Sequence, residues 1–298
     1  MHGLSIHLTD LCNSRCSFCV VGSPMYAKDT IDFAEVQHFL IRNSSPDVEF
    51  LNLHGGEATI HPRLSEILEL TCELAIPEVH LQTNGIRLAD VDFTQKLWDK
   101  NVKLFIISLH GDTSILQDSQ TGTSGGFRKT IAGIRNAKMV GARVRTNTVV
   151  TLQNISKLSA IAELAVSLGV DHVNFSNLHP VGSATFAFEA LVPRLSSIAR
   201  HLYAAAEIVQ GAGKKLTIEG FPYCTVPELR ELQLNENPRQ ILMLMRGHVI
   251  EDYDKFMSSQ CRVFGPPCGS CSHRSKCGGA YPEYVSRIGW SEFHGSVS

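Results

Sequence analysis

Six short β-branched or apolar runs alternate with helical patterns through the first two-thirds of this 298-residue chain. That alternation narrows the possible folds more than any other feature. The strand-like runs are Leu4–Leu8, Phe50–His54, Val79–Thr83, Leu104–His110, Arg143–Val150 and His172–Ser176. Between them, Leu64, Ile67, Leu68 and Thr71 recur at helical spacing within Pro62–Ala75, and Phe127, Ile131 and Ile134 do much the same within Phe127–Met139. A further helix over Ser156–Leu168 is expected to stop at Gly169, the usual left-handed terminator. Repeated β-then-α units imply parallel strands joined by right-handed crossovers, which a barrel and an open doubly wound sheet both satisfy. The order breaks after "SNLHPVGSA". A long helix over Pro193–Gln210 and a strand or hairpin in "KKLTIEGFPYC" follow, and "NENPRQILMLMRGHVIEDY" reads as helical or irregular.

The balance of 43% hydrophobic and 19% charged residues fits a globular protein with a proper core. A formal net charge of −2 leaves no basic field of the kind that holds nucleic acid by its phosphates, so no nucleic-acid partner is expected. No signal peptide and no run of about 18 apolar residues is evident, so no membrane partner and a cytoplasmic location are expected. Nine cysteines in such a chain need a reason other than disulfides. Cys12, Cys16 and Cys19 crowd the N-terminus, and Cys261, Cys268, Cys271 and Cys277 crowd the C-terminus. Cys224 stands between the blocks. Cys72 lies with Leu64 and Leu68 on helix two, which reads as a buried core thiol.

In parallel β/α folds the loops leaving the strand C-termini build the site. After strand one come the three N-terminal cysteines, and after strand two His54-Gly55-Gly56-Glu57. Strand three ends in Gln82-Thr83-Asn84-Gly85 and strand four in Ser108-Leu109-His110-Gly111-Asp112. Strand five carries Asn147, and strand six ends at Ser176-Asn177. Three thiolates spaced C-x3-C-x2-C can hold three irons of a [4Fe–4S] cube and leave the fourth open to a small molecule. Gly55-Gly56 lets backbone approach a ligand closely, and Glu57 can receive an ammonium group. A zinc knuckle that borrows Cys72 or a histidine is the competing reading.

In the frame "LTDLCNSRCSFC", the cysteine spacing with Phe18 before the last cysteine resembles the radical S-adenosylmethionine (radical SAM) superfamily. "HGGEATIHP" looks like that family's Gly-Gly-Glu motif, and "ISLHGDT" is similar to its strand-four Ser-Leu-Asp-Gly segment, with His110 where Asp is commoner. The resemblance implies a partial (β/α)6 TIM-like barrel over residues 1–212. It implies a catalytic [4Fe–4S] cluster on Cys12, Cys16 and Cys19, and SAM held by Gly55, Gly56, Glu57, Asn84, Ser108, Asn147 and Ser176. It further implies reductive cleavage of SAM to a 5′-deoxyadenosyl radical that abstracts a substrate hydrogen, fed by an external one-electron reductant of flavodoxin or ferredoxin type.

Cys268-x2-Cys271-x5-Cys277, followed by two glycines, resembles part of the SPASM or twitch-type extension, here residues 213–298. Tyr281 holds the place of a further cysteine, so one auxiliary [4Fe–4S] cluster is expected. Cys261 is the nearest candidate for its fourth ligand, and Cys224 competes as that ligand, as a radical-chemistry thiol or as a substrate-facing ligand. A structural zinc ribbon fits the same spacing. The segment has too few apolar residues for a core of its own, so a metal is expected to organise it. The extension tilts the substrate toward a ribosomally made peptide, modified by cross-linking, epimerisation or backbone excision. With strand one beginning by residue 4, a separate leader-recognition partner is then expected. A small-molecule or cofactor-biosynthetic substrate is the alternative. A non-enzymatic zinc-binding interaction module is a third.

Overall fold

The computed structural model describes residues 2–22, 29–233 and 240–296. In chain order the elements are β1 (His2–His7), α1 (Phe33–Asn43), β2 (Val48–His54), α2 (Leu64–Glu73), β3 (Val79–Thr83), α3 (Val91–Asp99), β4 (Val102–Ser108), α4 (Ser114–Thr121), α5 (Gly126–Met139), β5 (Arg143–Val150), α6 (Leu158–Ser167) and β6 (His172–Asn177). Then follow α7 (Phe188–Leu191), α8 (Leu195–Gly211), β7 (Lys215–Glu219), β8 (Gln240–Met245), β9 (His248–Ile250), α9 (Tyr253–Gln260) and α10 (Pro282–Ile288).

The nine strands form one sheet in the order β7-β6-β5-β4-β3-β2-β1-β8-β9. From β1 to β7 every neighbour is the next strand in sequence and every pair is parallel. A doubly wound sheet reverses its order at a switch point; this one does not. It winds one way, as a barrel does, and β8 on the far side of β1 keeps β7 from meeting β1. The fold is an open (β/α) barrel.

Side-chain alternation follows from that winding. Leu51, Leu53, Phe105, Ile107, Val144 and Val173 lie under the helices and are fully buried. The alternate positions face the interior and are largely amides and hydroxyls. Asn52 Nδ2 donates to Ser5 Oγ (3.2 Å), Asn174 Nδ2 to Asn147 Oδ1 (2.6 Å), and Thr217 Oγ1 to Asn174 Oδ1 (2.6 Å). These contacts cross neighbouring strands and line a polar interior.

Two expectations change here. Residues 234–239 of the supposed helical or irregular segment lie outside the described residues, but Gln240–Ile250 forms the β8–β9 hairpin. "ILMLM" consists of good helix formers; pairing along the open edge of β1, from His2↔Gln240 to His7↔Met245, overrides that preference. The Cys-rich tail also draws on the core of the barrel. Ala280, Tyr281, Tyr284 and Phe293 are buried within it. Leu195 N–H at the start of α8 donates to Tyr284 Oη (3.0 Å). Thus β7, β8 and the tail all build onto the same body as the first six strands.

Candidate active site

The loop after β1 carries Cys12, Cys16 and Cys19 across the barrel mouth, held largely by backbone. Gly56 N–H donates to the Thr9 carbonyl (2.6 Å), Glu57 N–H to Leu11 (2.8 Å), Arg15 N–H to Thr121 (2.8 Å), Ser17 N–H to Gln120 (3.0 Å) and Ser183 N–H to Cys19 (2.9 Å). A Cβ at Gly56 would collide with the Leu11 and Asp10 carbonyl oxygens, and one at Gly182, at φ +59°, with the Cys19 carbonyl. The close approach allowed at Gly55-Gly56 is therefore to the cysteine loop itself. The glycines anchor the thiols.

The three thiols lie half-buried. Burial pushes Cys12 up to about 11 and Cys16 higher still, each raised further by the neighbouring thiols. No cation is invoked to activate them. Three soft donors on one short loop, two of them holding their protons until a metal displaces them, are the donor chemistry of an iron–sulfur site. The residues fit the cluster.

Glu57 is 1% exposed, and its Oε1 accepts from Thr59 N–H (3.1 Å), Thr59 Oγ1 (2.6 Å) and Thr83 Oγ1 (2.7 Å), while Oε2 accepts from Asn84 N–H (2.7 Å). The carboxylate thus ties the end of β2 to the end of β3. Of its roughly four lone-pair sites, one on Oε2 is left for a ligand's ammonium. Asn84 Nδ2 reaches Asn13 Oδ1 (2.6 Å), with Cys12 Sγ at 4.0 Å. Ser108 pairs with Asn147 across β4 and β5, and Ser176 Oγ donates to Asn147 Oδ1 (2.8 Å). Gly55, Gly56, Glu57 and Asn84 follow the ends of β2 and β3, Ser108 ends β4, Ser176 lies one residue before the end of β6 and Asn147 sits within β5; of these, Asn84 reaches Cys12.

His110 stands where the family pattern carries Asp. It is 3% exposed and forced neutral by burial. Its Nδ1 accepts from Val149 N–H (3.2 Å), and its ring packs edge-on against Phe18 at 4.7 Å. The substitution braces the aromatic that precedes Cys19.

Sequence reasoning missed the pair behind Cys12. Asp10, 3% exposed, accepts from Arg246 Nη2 (2.9 Å) and Nε (3.1 Å) and meets His7 Nε2 at 2.7 Å. Arg246 at φ +49° and Gly247 at φ +76° form the tight turn of the β8–β9 hairpin. The signal was the "RG" between "QILMLM" and "HVI", legible only once those runs are strands.

A second set of thiols faces a cavity of about 230 Å³, lined by Cys224, Cys268, Cys271 and Cys277 and walled by Tyr223, Phe264, Trp290 and Phe293. Cys277 Sγ accepts from Tyr223 N–H (3.5 Å) and Gly279 N–H (3.4 Å). Cys224 feels the charge of Cys277 and Cys268. Cys261 does not line this cavity; Arg262 and Glu283 are its charged neighbours. Of the two candidates for a fourth ligand, Cys261 and Cys224, it is Cys224 that lines this cavity with the other three, carried to the tail by a short 3-10 turn (Tyr223–Thr225) after β7. Cys72 is corrected too: it is exposed near the end of α2. Tyr281, in the place of a family cysteine, stacks on His179 (4.1 Å) beneath the Arg262 guanidinium (3.6 Å). Among the described residues no three His, Cys, Asp or Glu converge tightly enough for a single metal ion; a four-iron cube takes its thiolates at wider spacing.

The Radical SAM superfamily model matches residues 6–165. A probable GTP 3′,8-cyclase from Sulfurisphaera tokodaii is 30% identical over 208 residues, 70% of this chain and 65% of that protein. One from Metallosphaera sedula is 32% identical over 196 residues, 63% of this chain and 60% of that one. The chain thus spans about three-fifths of the length of these relatives. Among solved structures, Streptococcus suis SuiB bound to S-adenosylmethionine superposes with a TM-score of 0.70 at 16% identity, over 99% of this chain and 76% of SuiB. Native anSMEcpe with bound AdoMet gives 0.60 at 15% identity, over 72% of this chain and 64% of that one. Family model, strand order and the cysteine loop at the barrel mouth agree: the chain belongs to the radical SAM superfamily, whose members are SAM-dependent iron–sulfur enzymes.

Proposed function

We propose that Cys12, Cys16 and Cys19 hold the catalytic [4Fe–4S] cluster and that the adjoining rim holds SAM. When bound, the two together supply a 5′-deoxyadenosyl radical that removes a hydrogen atom from the substrate. The observation that carries this reading is the chain of contacts along the ends of the strands: Glu57 to Asn84, Asn84 to Cys12, and Ser176 to Asn147, which pairs with Ser108. The free lone pair of Glu57 Oε2 suits the methionyl ammonium. Ser108, Asn147 and Ser176 offer hydroxyls and amides to the ribose side, and the protein's share is orientation and exclusion of water. An external one-electron carrier supplies the reductant.

Cys224, Cys268, Cys271 and Cys277 are proposed to hold one auxiliary [4Fe–4S] cluster, within a SPASM- or twitch-like region spanning 213–298. Four thiols facing one cavity would supply a protein ligand for each iron, so the substrate need not coordinate the cluster. Such a centre suits taking up an electron after hydrogen abstraction.

For the substrate, the relatives named GTP 3′,8-cyclases favour a small molecule of the cofactor-biosynthetic kind. Mid-barrel Arg145 lies 3.9 Å from the Glu219 carboxylate, beside amides and hydroxyls that bond across neighbouring strands. A second reading, modification of a ribosomal peptide with a separate leader-binding partner, draws on the likeness to SuiB, which runs through the tail as well as the barrel.

Anaerobic assay of SAM cleavage tests the core of this reading. The reconstituted protein should form 5′-deoxyadenosine, Cys16→Ala should form none, and Cys271→Ala should keep part of that activity while losing product. Cleavage surviving in Cys16→Ala would refute the assignment. With GTP added, a substrate-dependent rise in 5′-deoxyadenosine would put GTP in first place, and no rise would point to another small molecule.

A further inference from the structure

The second cysteine cavity is lined by two arginines, Arg230 and Arg274, and by no aspartate or glutamate among the described residues, in a chain whose net charge is −2. Nothing in the SAM chemistry calls for them there. Arg230 is placed by the segment that also delivers Cys224. After the Tyr223–Thr225 turn the chain enters a second 3-10 turn, Pro227–Leu232, whose Leu229 is buried. The next residue, Gln233, bridges to Ile218 of β7 and so ties the turn to the sheet. Residues three apart eclipse one another in a 3-10 turn, so Arg230 stands over Pro227, and both line the cavity. From there Arg230 Nη1 donates to His273 Nε2 (3.1 Å), which the tail carries between Cys271 and Cys277. The Glu231 carboxylate lies 3.9 Å from Arg230 Nε, but it is exposed and does not line the cavity. Arg274 is held differently: it is exposed, with its guanidinium 5.4 Å from the centre of the Phe264 ring.

We propose that Arg230 is the counter-charge of the second centre, fixed at the cavity wall by His273, and that it raises the reduction potential there. The proposal rests on the auxiliary-cluster reading above. Four thiolates give such a centre a net negative charge, and each one-electron reduction adds one more with no proton to cancel it. The walls formed by Tyr223, Phe264, Trp290 and Phe293 supply rings rather than charge, and an anion held against apolar walls is costly without a partner. A guanidinium fixed at the lining offsets that cost, and offsets it more for the reduced form than for the oxidised one. Arginine suits the task because it does not lose its proton. Arg230 thereby makes the second site a better acceptor for the electron left after hydrogen abstraction.

The test is a redox titration followed by EPR, on the full chain in the Cys16→Ala background, where iron is held at the second site. Arg230→Gln removes the charge and keeps a polar end. At a fixed potential it should shift the ratio of reduced to oxidised centre about tenfold toward oxidised, a midpoint about 59 mV lower, the size expected of one charge near a protein surface. Arg230→Lys keeps the charge and should stay close to its parent. Arg274→Gln should shift the midpoint less than Arg230→Gln, because water and salt screen an exposed charge. An unchanged midpoint in Arg230→Gln would overturn the proposal. So would Arg230→Lys falling as far as Arg230→Gln, or Arg274→Gln exceeding it. Loss of iron from Arg230→Gln but not from Arg230→Lys would show the same need for charge; loss from both would make Arg230 a packing residue and overturn its redox role. Absence of any cluster in the Cys16→Ala parent would overturn the auxiliary-cluster reading itself, and the counter-charge with it.

Discussion

His110 shows how a single residue departs from a family pattern yet keeps a role. Where an aspartate would carry charge, the imidazole is neutral, pushed down to about 4 by burial, with Nδ1 accepting from Val149. Unfolded, it would titrate near its ordinary 6.5. Between those values the unfolded chain binds the extra proton and the folded chain does not, so stability rises with pH across the window and is lost on acidification below about 6.5. Above it His110 contributes no slope. His110→Asn keeps an acceptor for Val149 N–H and does not titrate. Denaturant unfolding of the anaerobic protein should then show a flatter acid limb, with the difference reaching at most about 3 kcal/mol near pH 4. Superimposable limbs would show that burial of this imidazole has no energetic weight. At this scale Cys12, Cys16, Cys19 and Glu57 were legible because their spacing is local and their chemistry rare. The accommodation of His110 was not, since its partner Val149 is 39 residues away on another strand.

At the scale of elements, the six barrel strands could be read because each alternates or runs apolar between turn residues, and Val79–Thr83 and Arg143–Val150 match to the residue. The hairpin could not. Its residues favour a helix, and its reason to be a strand is the unpaired edge of β1, which no local pattern reveals. That hairpin ends on Arg246, whose guanidinium, nearly half exposed, covers the buried carboxylate of Asp10 two residues before Cys12. Arg246→Ala would leave Asp10 with His7 as its remaining neighbour among the partners named above, and water reaching the vacated side would soften the loss. We expect destabilisation of about 1–2 kcal/mol, seen as a lowered thermal midpoint. Iron should be lost from the first site more readily than from the second. Arg246→Lys should recover part of both. If both sites lost iron in step, the hairpin would be a support for the whole sheet rather than a clamp on the cysteine loop.

For the molecule as a whole, a single feature joins the two ends of the chain: the sheet is extended at both edges by strands that follow the sixth β/α unit. β7 lies beside β6, and β8 lies beside β1. The turn after β7 delivers Cys224, and the segment after β9 delivers Cys261 before the chain enters its glycine- and proline-rich tail. Sequence order alone favoured Cys261, only seven positions ahead of Cys268. The fold reverses that choice, because β7 ends at the tail cavity whereas Cys261 is held beside Arg262 and away from it. The consequence can be counted. Two four-iron clusters require about eight irons per chain. Cys224→Ser should lower that number to about four with the first-site EPR signal unaltered, while Cys261→Ser should leave about eight. Retention of eight irons in Cys224→Ser together with loss in Cys261→Ser would restore the order read from sequence. Zinc in place of iron in the unaltered protein would replace the second cluster by a structural metal, which would require the four thiols to draw closer together than they stand here, so the metal content separates a redox partner for the barrel from a staple for its tail.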